Sequence, residues 1–173
     1  MGILERLQKI RLIAMDLDGV LTNGKILLSE DGSWLRQMDM KDGFAMQLAV
    51  KKGLILAVIT GSNSNPVAER LSRLGITEFY QNSKDKAAVI RELVQKHNLS
   101  IDEILFIGDD IPDLAAYSQV GLKVCPADAV PELKEQADII TIRNGGDACV
   151  REIIEKVMRS QEIWQDYLGV SSI

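Results

Sequence analysis

Short apolar runs alternate with segments of helical spacing along almost the whole chain. The runs over 11–17, 54–59, 103–107, 121–124 and 138–142 are brief and rich in Ile, Leu and Val, which predicts buried strands. Between them, 42–52, 65–74, 84–97 and 111–119 carry apolar residues three and four apart, and 147–160 follows the last run. These five segments predict helices. The alternation argues for an α/β fold with a parallel sheet covered on both faces. Gly53 and Gly75 follow helical segments and fit C-terminal caps, while Ser64 or Asn65 can cap the helix that Pro66 opens. Ser100 and Glu103 have capping-box spacing, but a strand-like run follows at once, so the spacing carries little weight.

Residues 25–39 break this rhythm. Two short extended runs flank Asp31-Gly32, which predicts a β-hairpin inserted just after the first strand. Its position would carry it over whatever binds at that strand's end.

A chain of 173 residues is expected to form a single domain with a substantial core. Within 1–173 the hairpin at 25–39 and the C-terminal helix and tail at 147–173 are parts of that unit. Its 46% hydrophobic and 26% charged residues are ordinary for a globular protein. The net charge of −5 argues against a nucleic-acid-binding face, and a small anionic substrate would need a local cation. Cys125 and Cys149 lie in no C-x-x-C spacing and read as reduced, buried residues of a cytoplasmic protein. No stretch is apolar and long enough for a bilayer, and the N-terminal residues lack a signal-peptide core. Met1-Gly2 has no Ser or Thr at the sixth position, so myristoylation is not expected.

The candidate chemistry sits at predicted strand ends. Asp16 and Asp18 follow the first apolar run, with Gly19 next. Open α/β sheets place ligands at such carboxyl ends. Two carboxylates so close repel each other unless a cation holds them or one stays protonated, which suits a hard divalent metal and phosphoryl chemistry. Thr60-Gly61-Ser62 follows the second run, where a hydroxyl and backbone N–H groups suit phosphate oxygens. Lys84 and Lys86 flank a helix start, where a lysine can pair with a phosphate or an Asp. Gly108-Asp109-Asp110, with Asp113 after it, supplies a second acidic pair at a third strand end. His97 reads as a helix C-terminal cap rather than a ligand, and Trp164 and Tyr167 as packing residues. Arg143 or Arg151 could meet a substrate carboxylate.

Asp-x-Asp-Gly, Thr-Gly-Ser, Lys and Gly-Asp-Asp, in that order on this rhythm, resemble the haloacid dehalogenase-like phosphohydrolases. Asp16 to Gly24, the hairpin, Lys41-Asp42-Gly43, Tyr80-Gln81, Gly145-Gly146 and Val150-Arg151-Glu152 narrow the likeness to the 3-deoxy-D-manno-octulosonate 8-phosphate phosphatases of lipopolysaccharide biosynthesis, over 11–160. The resemblance implies a Rossmann-like three-layer core without a separate cap domain, assembled as a homotetramer through its hairpins. It implies Asp16 as nucleophile, forming an aspartyl-phosphate, and Asp18 as general acid–base. It further implies Mg²⁺ held by Asp16, Asp109 and the backbone carbonyl of Asp18. Thr60, Gly61 and Ser62 would bind the phosphoryl group with Lys86, which aligns with the family lysine in preference to Lys84. Asp110 and Asp113 are expected to orient the metal ligands. The implied substrate is 3-deoxy-D-manno-octulosonate 8-phosphate, with a nine-carbon ulosonate 9-phosphate of the sialic-acid type as the alternative.

The chain departs from this pattern. Ser62 stands where the family often has arginine, and Gly145-Gly146-Asp147-Ala148 replaces Gly-Gly-Arg-Gly, so altered contacts to the sugar acid are expected. Asn82 replaces a glycine after Tyr80-Gln81, and Asn tolerates left-handed geometry. A phosphorylatable receiver domain would share the parallel sheet, acidic pair, Thr and Lys. Its phosphorylated Asp follows a later strand, however, and its early acidic pair lacks the x-Asp-Gly sequel.

Overall fold

The computed structural model describes residues 2–169. In chain order the strands are β1 (Leu12–Met15), β2 (Leu27–Leu28), β3 (Trp34–Leu35), β4 (Ile55–Ile59), β5 (Glu78–Tyr80), β6 (Ile104–Ile107), β7 (Leu122–Cys125) and β8 (Ile139–Ile140). The helices are α1 (Ile3–Lys9), α2 (Met40–Lys51), α3 (Asn65–Arg73), α4 (Lys86–His97), α5 (Leu114–Tyr117), α6 (Pro131–Lys134) and α7 (Cys149–Ser160). Six strands form one sheet in the order β5-β4-β1-β6-β7-β8, every pairing parallel. The chain fills one side of β1 first and then crosses to the other, so β1 borders the switch point where such sheets leave a crevice.

Side chains of β1 alternate between two cores, as the period of two requires. Ile13 and Met15 pack with Met46, Leu48, Ile153 and Val157 of α2 and α7. Leu12 and Ala14 face Ile90 and Leu93 of α4 and Tyr117 of α5 on the opposite side. All four strand residues are fully buried, which explains an unbroken apolar run where a half-exposed strand would alternate. Truncating Ile13 to Ala would cost about 2–5 kcal/mol, because the surrounding packing relaxes only in part.

All five apolar runs form strands; four are shorter than expected by one to three residues, and 121–124 is shifted by one to Leu122–Cys125. β5 went unforeseen because three residues, Glu78-Phe79-Tyr80, carry too little pattern to register. The helix expected over 111–119 is broken. Asp110 caps a 3-10 turn at Ile111–Asp113 that contains Pro112, and α5 follows as a single turn. Ser100 and Glu103 do cap, but they cap a 3-10 turn at Ile101–Glu103 that leads into β6. Helix α2 begins earlier than expected because the Asp39 carboxylate accepts from the N–H groups of Lys41 and Asp42. Asp85 caps α4 through Ala88 N–H, which fixes Lys86 in its first turn.

The inserted segment is a hairpin: β2 and β3 pair antiparallel. Gly32 takes the left-handed conformation its turn requires, at φ +83°. The Asp31 carboxylate closes the turn by accepting from Ser29 Oγ and Ser33 N–H. Leu27, Leu28, Trp34 and Leu35 are all more than half exposed.

Candidate active site

Three adjacent strands deliver the acidic and hydroxyl groups to one edge of the sheet. Asp16 follows β1, Thr60 follows β4, and Asp109 lies two residues past β6. The register puts Met15 level with Val58 and Ile107, and Asp16 N–H continues the ladder to Ile107 C=O at 3.0 Å. Gly19 is obligatory in the turn that follows. It has φ +90°, and a Cβ there would lie 1.9 Å from Asp109 Oδ2. The Gly145-Gly146 pair has a matching role: a Cβ on Gly145 would meet Gly19 O at 1.9 Å, and one on Gly146 would meet Asn23 N at 2.4 Å. The loop bearing Asp18 is thus pressed against the segment before α7, where Asp128 anchors Gly145 N–H at 2.9 Å.

Asp16 Oδ1 accepts from Leu17 N–H at 2.7 Å and pairs with Lys86 Nζ at 2.9 Å. Both bonds fall on Oδ1; among the described residues, Oδ2 carries no protein hydrogen bond. Lys86 is buried and also donates to Asp113 Oδ1 at 2.5 Å. Burial works against its charge, but Asp113 and Asp16 outweigh that and hold its pKa above the ordinary lysine value. Asp113 is itself buried, and its Oδ2 accepts from the N–H groups of Asp109 and Asp110. Glycine at 108 leaves room for this carboxylate, since a Cβ there would lie 2.5 Å from Asp113 Cβ.

This crowding raises the pKa of the carboxyls that have least compensation. Burial and the Asp113 charge push Asp16 up to about 6 against the pull of Lys86. Burial, then Asp113 and Asp16, push Asp109 up to about 7. Asp109 Oδ1 is buried without any partner. Oxygens of Asp16, Asp109 and Asp113 lie within 4.8 Å of one another. An orphaned carboxylate oxygen in an all-oxygen set fits a hard divalent cation. Asp113 is within reach of that position, but both its oxygens are already engaged, which makes it an orienting group. Asp18 contributes no side-chain oxygen to this cluster.

On the other side of Asp16, Thr60 is buried with Oγ1 2.9 Å from Ser62 Oγ, and Ser62 N–H donates to Thr60 Oγ1 at 3.1 Å. Ser83 N–H ties to Thr60 C=O, and Asn82 at φ +55° makes the turn that the asparagine allows.

The structure also holds a group that the sequence patterns did not single out. Arg36, just past β3, grips Asp18 with its fork: Nε to Oδ1 at 2.7 Å and Nη2 to Oδ2 at 3.0 Å. The only sequence signal was a single cation beside the apolar pair Trp34-Leu35. Arg143 and Arg151 do not reach the cleft. Arg143 is exposed beside Asp147, whereas the Arg151 guanidinium lies over the rings of Phe44 and Trp164. Lys84 is likewise outside the network that Lys86 joins. His97 is a correction too. Its Nε2 bonds Glu78 at 2.9 Å, and Asn98, left-handed at φ +50°, ends the helix instead. Trp164 is buried as expected, whereas Tyr167 is 44% exposed and meets Trp164 at 6.3 Å between ring centroids.

A family model described as haloacid dehalogenase-like hydrolase matches residues 70–153. The 3-deoxy-D-manno-octulosonate 8-phosphate phosphatase of Yersinia pestis is 32% identical over 169 residues, spanning 98% of this chain and 90% of that protein. Its counterpart in Escherichia coli K12 is 33% identical over 159 residues, spanning 92% and 85%. Among solved structures, the Yersinia pestis phosphatase superposes with a TM-score of 0.92 at 31% identity, covering 99% of this chain and 91% of that one. The Moraxella catarrhalis phosphatase, solved with a magnesium ion, a phosphate ion and a KDO molecule, gives 0.92 at 31%, covering 96% of each chain.

Proposed function

The chain belongs to the 3-deoxy-D-manno-octulosonate 8-phosphate phosphatases among the haloacid dehalogenase-like hydrolases, and from that premise we propose that it hydrolyses 3-deoxy-D-manno-octulosonate 8-phosphate, with Mg²⁺, through an aspartyl-phosphate on Asp16. One observation carries the reading. Asp16 is held at Oδ1 by Lys86 and Leu17 N–H, beside the orphaned oxygen of Asp109, so the nucleophile is oriented before substrate arrives.

Asp16 forms the new O–P bond as the bond to the sugar's terminal oxygen breaks. Asp18 gives that oxygen a proton. Asp18 then takes a proton from water, whose oxygen attacks the phosphorus and returns Asp16 and inorganic phosphate. Thr60 Oγ1, Gly61 N–H, the Ser62 hydroxyl and Lys86 hold the transferring group. Mg²⁺ would be held by Asp16, Asp109 and the carbonyl of Asp18, and supplies the positive charge that lets a carboxylate approach a phosphate dianion. Asp113 keeps Lys86 and the Asp109 backbone in place.

We place the reaction in the cytoplasm, where the free, buried Cys125 and Cys149 stay reduced. No helix among the described residues is long and apolar enough to cross a membrane. Exposed Leu27, Leu28, Trp34 and Leu35 support a homotetramer in which hairpins pack together and a neighbouring chain closes each cleft.

A screen of phosphorylated sugar acids with added Mg²⁺ tests the substrate. The eight-carbon ulosonate 8-phosphate is expected to give the highest kcat/KM. A preference for a nine-carbon ulosonate 9-phosphate would overturn the assignment.

A further inference from the structure

Arg36 has no part in the reaction scheme, and its geometry conflicts with that scheme. Its side chain is only 7% exposed although Trp34 and Leu35, the two residues before it, are exposed. The guanidinium occupies both oxygens of Asp18, while Ser62 Oγ stands 3.4 Å from Oδ2 and Thr22 Oγ1 3.5 Å from Oδ1. A carboxylate clasped in this way is anchored at both oxygens and cannot turn toward a leaving group. At least one bond of the fork must open before Asp18 can reach the substrate.

Arginine keeps its charge on release, and a guanidinium this enclosed is not left without an anion. The proposed substrate brings two anionic groups. Its phosphate meets Lys86 and the cation site at Asp16 and Asp109. Its carboxylate needs a cation of its own, because Lys86 is already taken up by Asp16 and Asp113. A carboxylate also matches the planar fork that Arg36 already presents to Asp18.

We propose that Arg36 is the receptor for the substrate's carboxylate, and that it rests on Asp18 until a sugar acid replaces that partner. The exchange swaps one carboxylate for another on the same fork. It frees the acid–base residue only when the correct class of ester is bound. An ester without a carboxylate offers Arg36 no second partner and leaves Asp18 clasped. Arg36 directly follows the hairpin's return strand, so the swap also couples the hairpin to occupancy of the cleft. This assignment rests on the function proposed above.

The test compares the wild type, Arg36→Gln and Arg36→Lys on two substrates, 3-deoxy-D-manno-octulosonate 8-phosphate and p-nitrophenyl phosphate, in excess Mg²⁺. For the sugar-acid ester, Arg36→Gln is expected to raise KM by about tenfold or more, as loss of a charge-assisted pair implies, and Arg36→Lys to recover part of it. For p-nitrophenyl phosphate, Arg36→Gln is expected to raise kcat/KM, since Asp18 is no longer clasped. Free 3-deoxy-D-manno-octulosonate should inhibit p-nitrophenyl phosphate turnover by the wild type and not by Arg36→Gln. Equal losses on both substrates would overturn the proposal, leaving Arg36 as a support for Asp18. An unchanged KM for the sugar-acid ester would overturn it too. A wild type that does not hydrolyse the sugar-acid ester would refute the functional reading instead. The p-nitrophenyl phosphate and inhibition measurements would then decide the role of Arg36 by themselves.

Discussion

Asp16 and Asp18 share a loop but have different partners, and their substitutions are expected to differ. Asp16→Asn should abolish turnover, because an amide is a poor nucleophile and a poor ligand for Mg²⁺. Asp18→Asn should slow release of the alkoxide by about 10²–10⁴. Crystals grown with beryllofluoride and Mg²⁺ check the assignment: the adduct is expected on Asp16, and an adduct elsewhere would refute it. Asp42, away from the cleft, carries a separate expectation. Its Oδ1 accepts from Arg151 N–H at 2.6 Å, joining α2 to α7, while Oδ2 is buried without a partner. Burial pushes its pKa from 3.8 to about 7. The folded state therefore binds the proton more tightly than the unfolded chain. The resulting stability is complete below about pH 4 and is lost as pH rises through about 7. Asp42→Asn cannot ionise, so the melting temperature of the variant relative to wild type should climb between about pH 4 and about pH 7 and level off above that. A pH-independent difference would count against a titrating Asp42. These residues were not equally legible. Asp16, Asp18 and Asp109 stood out because paired carboxylates after apolar runs are unusual and local. Arg36 did not, because its partner lies 18 positions back and depends on how the hairpin folds over. His97 was misread because its partner, Glu78, is in the short strand that the pattern did not reveal.

Among the elements, the fully buried strands were the most legible, since an unbroken apolar run bounded by polar residues has few other homes. Aspartate caps set the helix starts: Asp39, ahead of the periodic region, advances α2, and Asp85, inside it, delays α4. The hairpin was legible from Asp31-Gly32, but its purpose was not, because a two-stranded ribbon with exposed Leu and Trp is marginal alone. Removing the tip at Glu30–Ser33 is expected to reduce turnover of the sugar-acid phosphate more than that of p-nitrophenyl phosphate. Equal losses in parallel kinetics would show that the hairpin does not select the substrate.

For the whole molecule, two expectations concern what it binds. Mg²⁺ relieves repulsion among Asp16, Asp109 and Asp113, so it should raise the melting temperature. At a concentration a hundredfold above Kd the gain is about 2.7 kcal/mol. Asp109→Asn should abolish that shift in thermal scans, and chelation should remove activity that added Mg²⁺ restores. Light scattering at assay concentration should give the mass of a tetramer, and Trp34→Ser should lower it. A fully active monomer would refute closure of the cleft by a neighbouring chain. The sheet order was open to inference because βαβ units leave few topologies. The assembly was not, since exposed apolar residues on one hairpin do not encode how many copies meet.

The contact between Gly19 and the Gly145-Gly146 pair makes the site depend on distant parts of the chain. Asp16 and the loop after it are shaped by glycines more than a hundred positions further along the sequence. Gly146 N–H donates to Val20 C=O at 2.9 Å, and Cys149 Sγ lies 3.3 Å from the same oxygen. A chain cut ahead of α7 would keep every acidic residue of the site but leave the first loop unbraced. Such a truncation is expected to cost activity although it removes none of the proposed catalytic residues.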